Sequence, residues 1–257
     1  MPARVLVIGL DSPIVRATAH LLTATGVRVA VAGSRGDSAG GSIIEVSGRV
    51  GATTGGDGLA VDRLGRDPDG ARALVDAACE ALGGLDTVIR MDAPELRGPA
   101  RAVDPVTWAT ATARVVGGAF NVTIAAAEVM AQGGSIVHVL TLDALHAYPQ
   151  RSAFAAAATG TLGLVRALAI ELAARGIRVN AVIAGPIEES VSPDSPRATL
   201  EQARLRSPMG RLGRATEIAE AIRFVAGDDA SFMTGQSLRV DGGWAALNQA
   251  PEGMRFP

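Results

Sequence analysis

Side chains that could move protons crowd one short stretch of this 257-residue chain: Thr141, Asp143, His146 and Tyr148, with His138 just upstream. Asp143 with His146 would make an acid–base pair, and Tyr148 could donate a proton. Arg90, Asp92 and Asn121 could line the same cleft. The plainer reading is a solvated loop plus one strand histidine satisfied by a neighbour, and spacing alone favours it. A second stretch, Ile8-Gly9-Leu10-Asp11-Ser12-Pro13-Ile14-Val15, lies where a strand gives way to a helix. Backbone amides at such a junction can hold a phosphate. Here Pro13 removes one N–H and Asp11 adds a negative charge nearby. Cys79, the single cysteine, sits in the apolar run AACEAL and reads as a small core residue.

The elements that must position these residues alternate along the chain. Short β-branched runs at 5–8, 27–32, 59–61, 87–89, 135–140, 178–183 and 237–240 read as strands. Helical patterns lie between them at 14–24, 69–82, 105–131, 153–175 and 215–226. This rhythm predicts an α/β, doubly wound parallel sheet of about seven strands with helices on both faces, in one domain spanning 1–257. The segment 33–58 breaks the rhythm, being crowded with glycine and serine. Glycine costs about 1 kcal/mol per helix position relative to alanine, so any helix there is short, around 42–47.

Composition bounds the function. Lys plus Arg number 24 against 26 Asp plus Glu, a formal charge of −2. No basic face is implied, so neither a nucleic acid nor an anionic membrane has electrostatic support as a partner. The start of the chain lacks a charged leader before an apolar run, and one cysteine permits no internal disulfide, which together fit the cytoplasm. The most apolar long stretch, 152–174, contains Thr159, Arg166 and Glu171 and reads as a buried helix rather than a membrane span.

RALAIELAARGIRVNAVIAGPI (166–187), PMGRLGRATEIAEAIRFVAGDDASFMTGQSLRVDGGW (208–244) and WATATARVVGGAF (108–120) resemble the short-chain dehydrogenase/reductase family, near its ketoacyl-reductase-like branch. The resemblance runs over nearly the whole chain and implies a Rossmann-like fold. It also implies a glycine-rich phosphate turn, of which Gly9 remains, with Ser12 nearby and Val15 where close approach is needed. Gly33 takes the place of a ribose-binding acid, followed by Ser34 and Arg35, which could meet a 2′-phosphate. Asp62 matches the adenine-contacting aspartate, and the family's NNAG stands here as Arg90-Met91-Asp92-Ala93. The ungapped match of AFAAAATGTLGL implies that Thr141 replaces the catalytic serine, Phe154 the tyrosine, Ala158 the lysine and Val115 the asparagine.

From this resemblance follow expectations. By the family pattern the chain is a catalytically inactive subunit, a pseudoenzyme, pairing with an intact homologue in a mixed tetramer. The non-catalytic sister subunit of the benzylsuccinate-pathway acyl-CoA alcohol dehydrogenase is a parallel. Contacts would centre on helices 105–131 and 153–175 and on 215–242. The alternatives are a redox-neutral enzyme (dehydration, isomerisation or cyclisation) in the vacated cleft, using Asp143, His146 or Tyr148, and a ligand sensor. No cofactor is expected to bind tightly, weak NADP(H) through Gly9, Ser12, Ser34, Arg35 and Asp62 being the residual case. No metal site is expected.

Overall fold

Strands such as VLVI and IVHVL have no polar face to give to water, so the chain must cover them on both sides. The computed structural model of the protein describes residues 3–9, 12–33, 43–45, 67–91, 98–130, 133–191, 201 and 204–247. Its strands are β1 (Arg4–Gly9), β2 (Arg28–Ala32), β3 (Ile43–Glu45), β4 (Thr87–Met91), β5 (Gly134–Thr141), β6 (Ile177–Ala184) and β7 (Ser237–Val240). They form one seven-stranded sheet in the order β3-β2-β1-β4-β5-β6-β7, with every pair parallel. The order reverses between β1 and β4, which opens a crevice at the carboxyl ends of those strands.

The helices are α1 (Pro13–Ala24), α2 (Pro68–Leu82), α3 (Pro105–Thr112), α4 (Gly118–Val129), α5 (Ser152–Ala173) and α6 (Ala215–Ala226). One face of the sheet, with Val5, Val7, Val29, Ile89, Val137 and Val182, packs against α1 and α6. The other, with Leu6, Ala30, Val88, Ile136, Val179 and Ile183, packs against α2, α4 and α5. Full burial of each branched side chain contributes about 1.5–3 kcal/mol. By length and composition α5 could cross a membrane, yet half of it is buried in this fold, and Leu162, Val165 and Leu168 belong to the core. It is a core helix here, as its sequence predicts.

Three helices start the same way. Ser12, Asp67 and Asp104 accept hydrogen bonds from first-turn amides, and each is followed by a proline at the first helical position. Proline has no N–H to lose there, and its fixed φ suits the turn.

Two expectations need correction. The stretch predicted as a short helix at 42–47 contains β3 instead, which pairs in parallel with β2 from Val29 to Val31. Ile43 and Ile44 favour a pleated edge, and the open side of β2 supplies the backbone partners. The strand predicted at 59–61 lies outside the described residues. The helix predicted at 105–131 is likewise not regular: a π-helical turn, Ala113–Gly117, separates α3 from α4. Arg90, buried on β4, donates to the carbonyl oxygens of Arg114 at 2.7 Å and Val115 at 3.3 Å across that turn. The widened turn thus meets a donor on the neighbouring strand.

His138 faces Arg90 in the β4–β5 register. Its Nε2 lies 3.0 Å from Thr123 Oγ1. Burial, and then the Arg90 charge, push the imidazole down to about 3, so it is neutral. The plainer reading of a strand histidine satisfied by a neighbour holds for Nε2, while Nδ1 is buried without a hydrogen-bond partner. On the opposite face, half-buried Arg178 donates to the carbonyls of Val225, Ala226, Gly227 and Met233. Burial lowers its pKa from the ordinary value. Asn180 joins the same segment through Met233 O and the Gln236 amide.

Two outcomes follow. Because the folded-state pKa of His138 is depressed, its contribution is complete above pH ~6.5 and is lost as pH falls towards 3. Denaturant titrations should show the protein losing about 1.4 kcal/mol between pH 7.5 and 5.5 that His138→Gln does not lose; parallel slopes would contradict the assignment. Arg178→Met strands four carbonyls and should cost about 2–4 kcal/mol by the same measurement. A change under 0.5 kcal/mol would show that α6 is not held by this side chain.

Candidate functional site

The carboxyl ends of β1, β4 and β5 bring Gly9, Met91 and Thr141 to one edge of the sheet. At Gly9 an added Cβ would lie 2.7 Å from Met91 O and 2.8 Å from Val15 Cγ2. Glycine therefore lets β1, β4 and the first turn of α1 close together at the crevice. Ser12 caps α1, its Oγ accepting from the Val15 amide at 3.2 Å and contacting Met91 Sδ at 3.5 Å. The partly positive N-terminus of α1 accordingly opens onto the crevice. Asp11, Ser34, Arg35, Asp62 and Asp92 lie outside the described residues.

The loop after β5 is only partly solvated. Asp143 is buried, its side chain 2% exposed. Its Oδ2 accepts from Thr141 Oγ1 at 2.8 Å and from Arg151 at 2.6 Å. Its Oδ1 is buried and has no hydrogen-bond partner. A charge-assisted pair at this distance is strong, and Arg151 holds it from the start of α5. The Asp143–His146 pair, the less favoured reading of the sequence, is not formed. Arg151 takes the carboxylate, while His146 is tied by its own amide to Leu142 O at 2.9 Å. Asn121, on α4, is half-buried.

Tyr148 is half-buried against the core beside Trp244. Burial, then the Asp143 charge, raise its pKa above the usual phenol value, while a hydrogen bond with the Trp244 indole works the other way. Its hydroxyl therefore stays protonated through neutral pH. The Arg206 guanidinium sits over the Trp244 ring at 5.2 Å, a cation–π contact that anchors the indole. Together Thr141, Asp143, Tyr148, Arg151 and Trp244 form a polar wall with one neutral proton donor and one buried carboxylate.

Next to this wall the chain is apolar. Val115, Phe154 and Ala157 form a buried cluster, and Ala158 belongs to the main core. The Phe154 ring also lies beneath Arg151, 5.8 Å from the guanidinium carbon. Arg151, Trp244 and Arg206 escaped the sequence reading. A lone arginine just ahead of an alanine-rich helix was the available signal for the first. Among the described residues no group of three or more His, Cys, Asp or Glu side chains could hold a metal ion.

Comparison with known proteins places this geometry in context. A family model described as enoyl-(acyl carrier protein) reductase matches residues 9–245. The cis-4-hydroxycyclohexanecarboxylate dehydrogenase of Sinomonas cyclohexanicum is 34% identical over 94% of the chain and 96% of its own length. The L-rhamnose 1-dehydrogenase (NAD(P)(+)) of Azotobacter vinelandii is 31% identical over 93% and 95%. An uncharacterized short-chain type dehydrogenase/reductase of Sinorhizobium fredii is 42% identical over 51% of the chain, but the match spans only 25% of that longer protein. Among solved structures, acetoin dehydrogenase from Enterobacter cloacae superposes with a TM-score of 0.78 at 26% identity, covering 98% of this chain and 99% of that one.

These relatives correct two expectations. Full-length relatives named as dehydrogenases stand against an inactive subunit, and equally against the redox-neutral and sensor alternatives. The relative named for NAD(P)(+) stands against the expectation that no cofactor binds tightly. Both expectations treated Phe154, Ala158 and the altered phosphate turn as simple losses. Asp143 and Tyr148, weighed in the sequence only as groups for a redox-neutral reaction, stand in the loop ahead of those positions. With a family model covering nearly its whole length and a full-length relative at 34% identity, the chain belongs to the short-chain dehydrogenase/reductase family.

Proposed function

We propose that the protein is an NAD(P)-dependent oxidoreductase that interconverts a ketone and a secondary alcohol in the cleft between the β5 loop and α5. The observation that carries this reading is the buried Asp143, one oxygen held by Thr141 and Arg151 and the other without a partner, beside the protonated Tyr148. The dinucleotide supplies or accepts the hydride when bound. Gly9, Ser12 and the N-terminus of α1 are the described residues that would hold its pyrophosphate, because they leave close backbone and a positive helix end at the crevice.

The chain's own groups do the rest. Tyr148 lends its proton to the substrate oxygen as negative charge gathers there. The free oxygen of Asp143 accepts a hydrogen bond from a hydroxyl on the substrate, which orients it and satisfies the carboxylate. Arg151 and Thr141 hold that carboxylate still and balance its charge. Phe154 and Val115 give the reacting end an apolar wall that excludes water.

Two measurements test this. With 4-hydroxycyclohexanone as probe and NADPH or NADH in excess, Tyr148→Phe should lower kcat roughly 10²–10⁴-fold. The unaltered protein should keep its rate beyond the pH at which an ordinary phenol ionises, near 10. An unchanged kcat in Tyr148→Phe would remove the tyrosine from the mechanism. Asp143→Asn should raise KM more than it lowers kcat, because it weakens an orienting contact; a pure kcat effect would place the carboxylate in the chemical step instead.

A further inference from the structure

The proposed chemistry leaves one buried charge at the end of β4 unused. Arg90 is 3% exposed and stands opposite His138 in the β4–β5 register. Alternation along the strand sends its side chain to the same face as Val88, the face covered by α4 and α5. There its Nη2 donates to Arg114 O at 2.7 Å and its Nη1 to Val115 O at 3.3 Å. Both acceptors belong to the π turn Ala113–Gly117, in which the Gly118 amide reaches back to Ala113 O, five residues earlier. Such turns are rare, and they recur at functional sites.

This turn bears directly on the helix that begins the cleft. Val115 packs with Phe154 and Ala157 of α5 in one buried cluster. Val116, next along the turn, faces Gly160, where an added Cβ would lie 3.7 Å from its Cγ2. Phe154 is the ring beneath the Arg151 guanidinium, 5.8 Å from it, and Arg151 donates to Asp143 Oδ2 at 2.6 Å. Contacts therefore run from Arg90 through the turn to Phe154, then to Arg151 and Asp143. Contact alone does not transmit a displacement. Close packing makes this path responsive: Val115, Phe154 and Ala157 are all buried, so a shift of the turn finds no free space to absorb it.

We propose that Arg90 is a positioning residue for the cleft: it fixes the π turn, which seats Phe154 under Arg151 and so holds the Asp143 carboxylate in place. The inference rests on the reading of Asp143 as the group that orients the substrate hydroxyl. Arg90 acts through these contacts and not on the substrate itself.

NMR of the Arg151 guanidinium, assigned by its loss in Arg151→Lys, reads this arrangement without turnover. A guanidinium held by a carboxylate exchanges its protons slowly. Arg90→Lys keeps the charge but lacks the two-pronged donor, and in it the Arg151 protons should exchange about tenfold faster. With 4-hydroxycyclohexanone and excess dinucleotide, its KM should rise about fivefold while kcat stays within about twofold, because an orienting contact has loosened. Val115→Ala trims the contact between the turn and Phe154 and leaves Arg90 in place. It should reproduce both changes, and Arg90→Lys should add little to it, since both act on one path. An Arg151 signal unchanged in either variant would overturn the proposal. So would effects that add fully in the double variant, or a fall in kcat at constant KM. If the unaltered protein does not turn over the probe, the oxidoreductase reading fails, and the Arg151 signal still decides the role of Arg90.

Discussion

The strands of this parallel sheet carry apolar side chains on both faces, so both faces must be covered by crossover helices. Every other feature of this protein follows from that requirement. The alternation of apolar strand and helix puts Val5 and Val7 under α1 and α6, and Leu6 and Ile8 under the helices of the other face. Every crossover then delivers a loop to the carboxyl edge, where β1 and β4 part. Arg90 and Arg178 show what this costs locally. Each is drawn in from a strand to satisfy carbonyls that a widened turn or a helix end leaves without partners.

Placed on that edge, the β5 loop and the start of α5 enclose two kinds of surface. Val115, Phe154 and Ala157 make the dry side. Asp143, Arg151, Thr141 and Tyr148 make the polar side, with the charges balanced against each other. In the proposed reaction the phenol donates its proton to the developing alkoxide, and the Arg151 pair offsets the charge of the neighbouring carboxylate. Phe154 and Ala158 lie on α5, whereas Thr141, Asp143 and Tyr148 lie at the end of β5 and in the loop ahead of that helix.

Much of the fold was legible in the residues. The strand at 237–240 and the helix at 215–226 match β7 and α6 residue for residue, because sharp polar boundaries frame each apolar pattern. The edge strand Ile43–Glu45 was not legible, because a three-residue strand between glycines has no periodicity of its own and depends on the open side of β2. Nor was the π turn at Ala113–Gly117, whose carbonyls are met by an arginine more than twenty residues away in sequence. In the site, Thr141, Asp143 and Tyr148 were visible as residue types. Which group would take the carboxylate was not, since His146 is the nearer in sequence and yet Arg151, eight residues on, makes the pair. The resemblance to the family was read correctly for the fold and too narrowly for the function, because relatives named as dehydrogenases match the chain over nearly its whole length.

The central claim is hydride transfer beside Tyr148, and isotopic labelling tests it most directly. The protein would be incubated with 4-hydroxycyclohexanone and dinucleotide carrying deuterium at the nicotinamide C4, in both stereochemical forms and both phosphate states, and the product read by mass spectrometry. The account predicts one deuterium on the carbinol carbon of the product from one of the two stereochemical forms, and none when Tyr148 is phenylalanine. Dinucleotide left intact by the unaltered protein, or deuterium transfer undiminished in Tyr148→Phe, would contradict it.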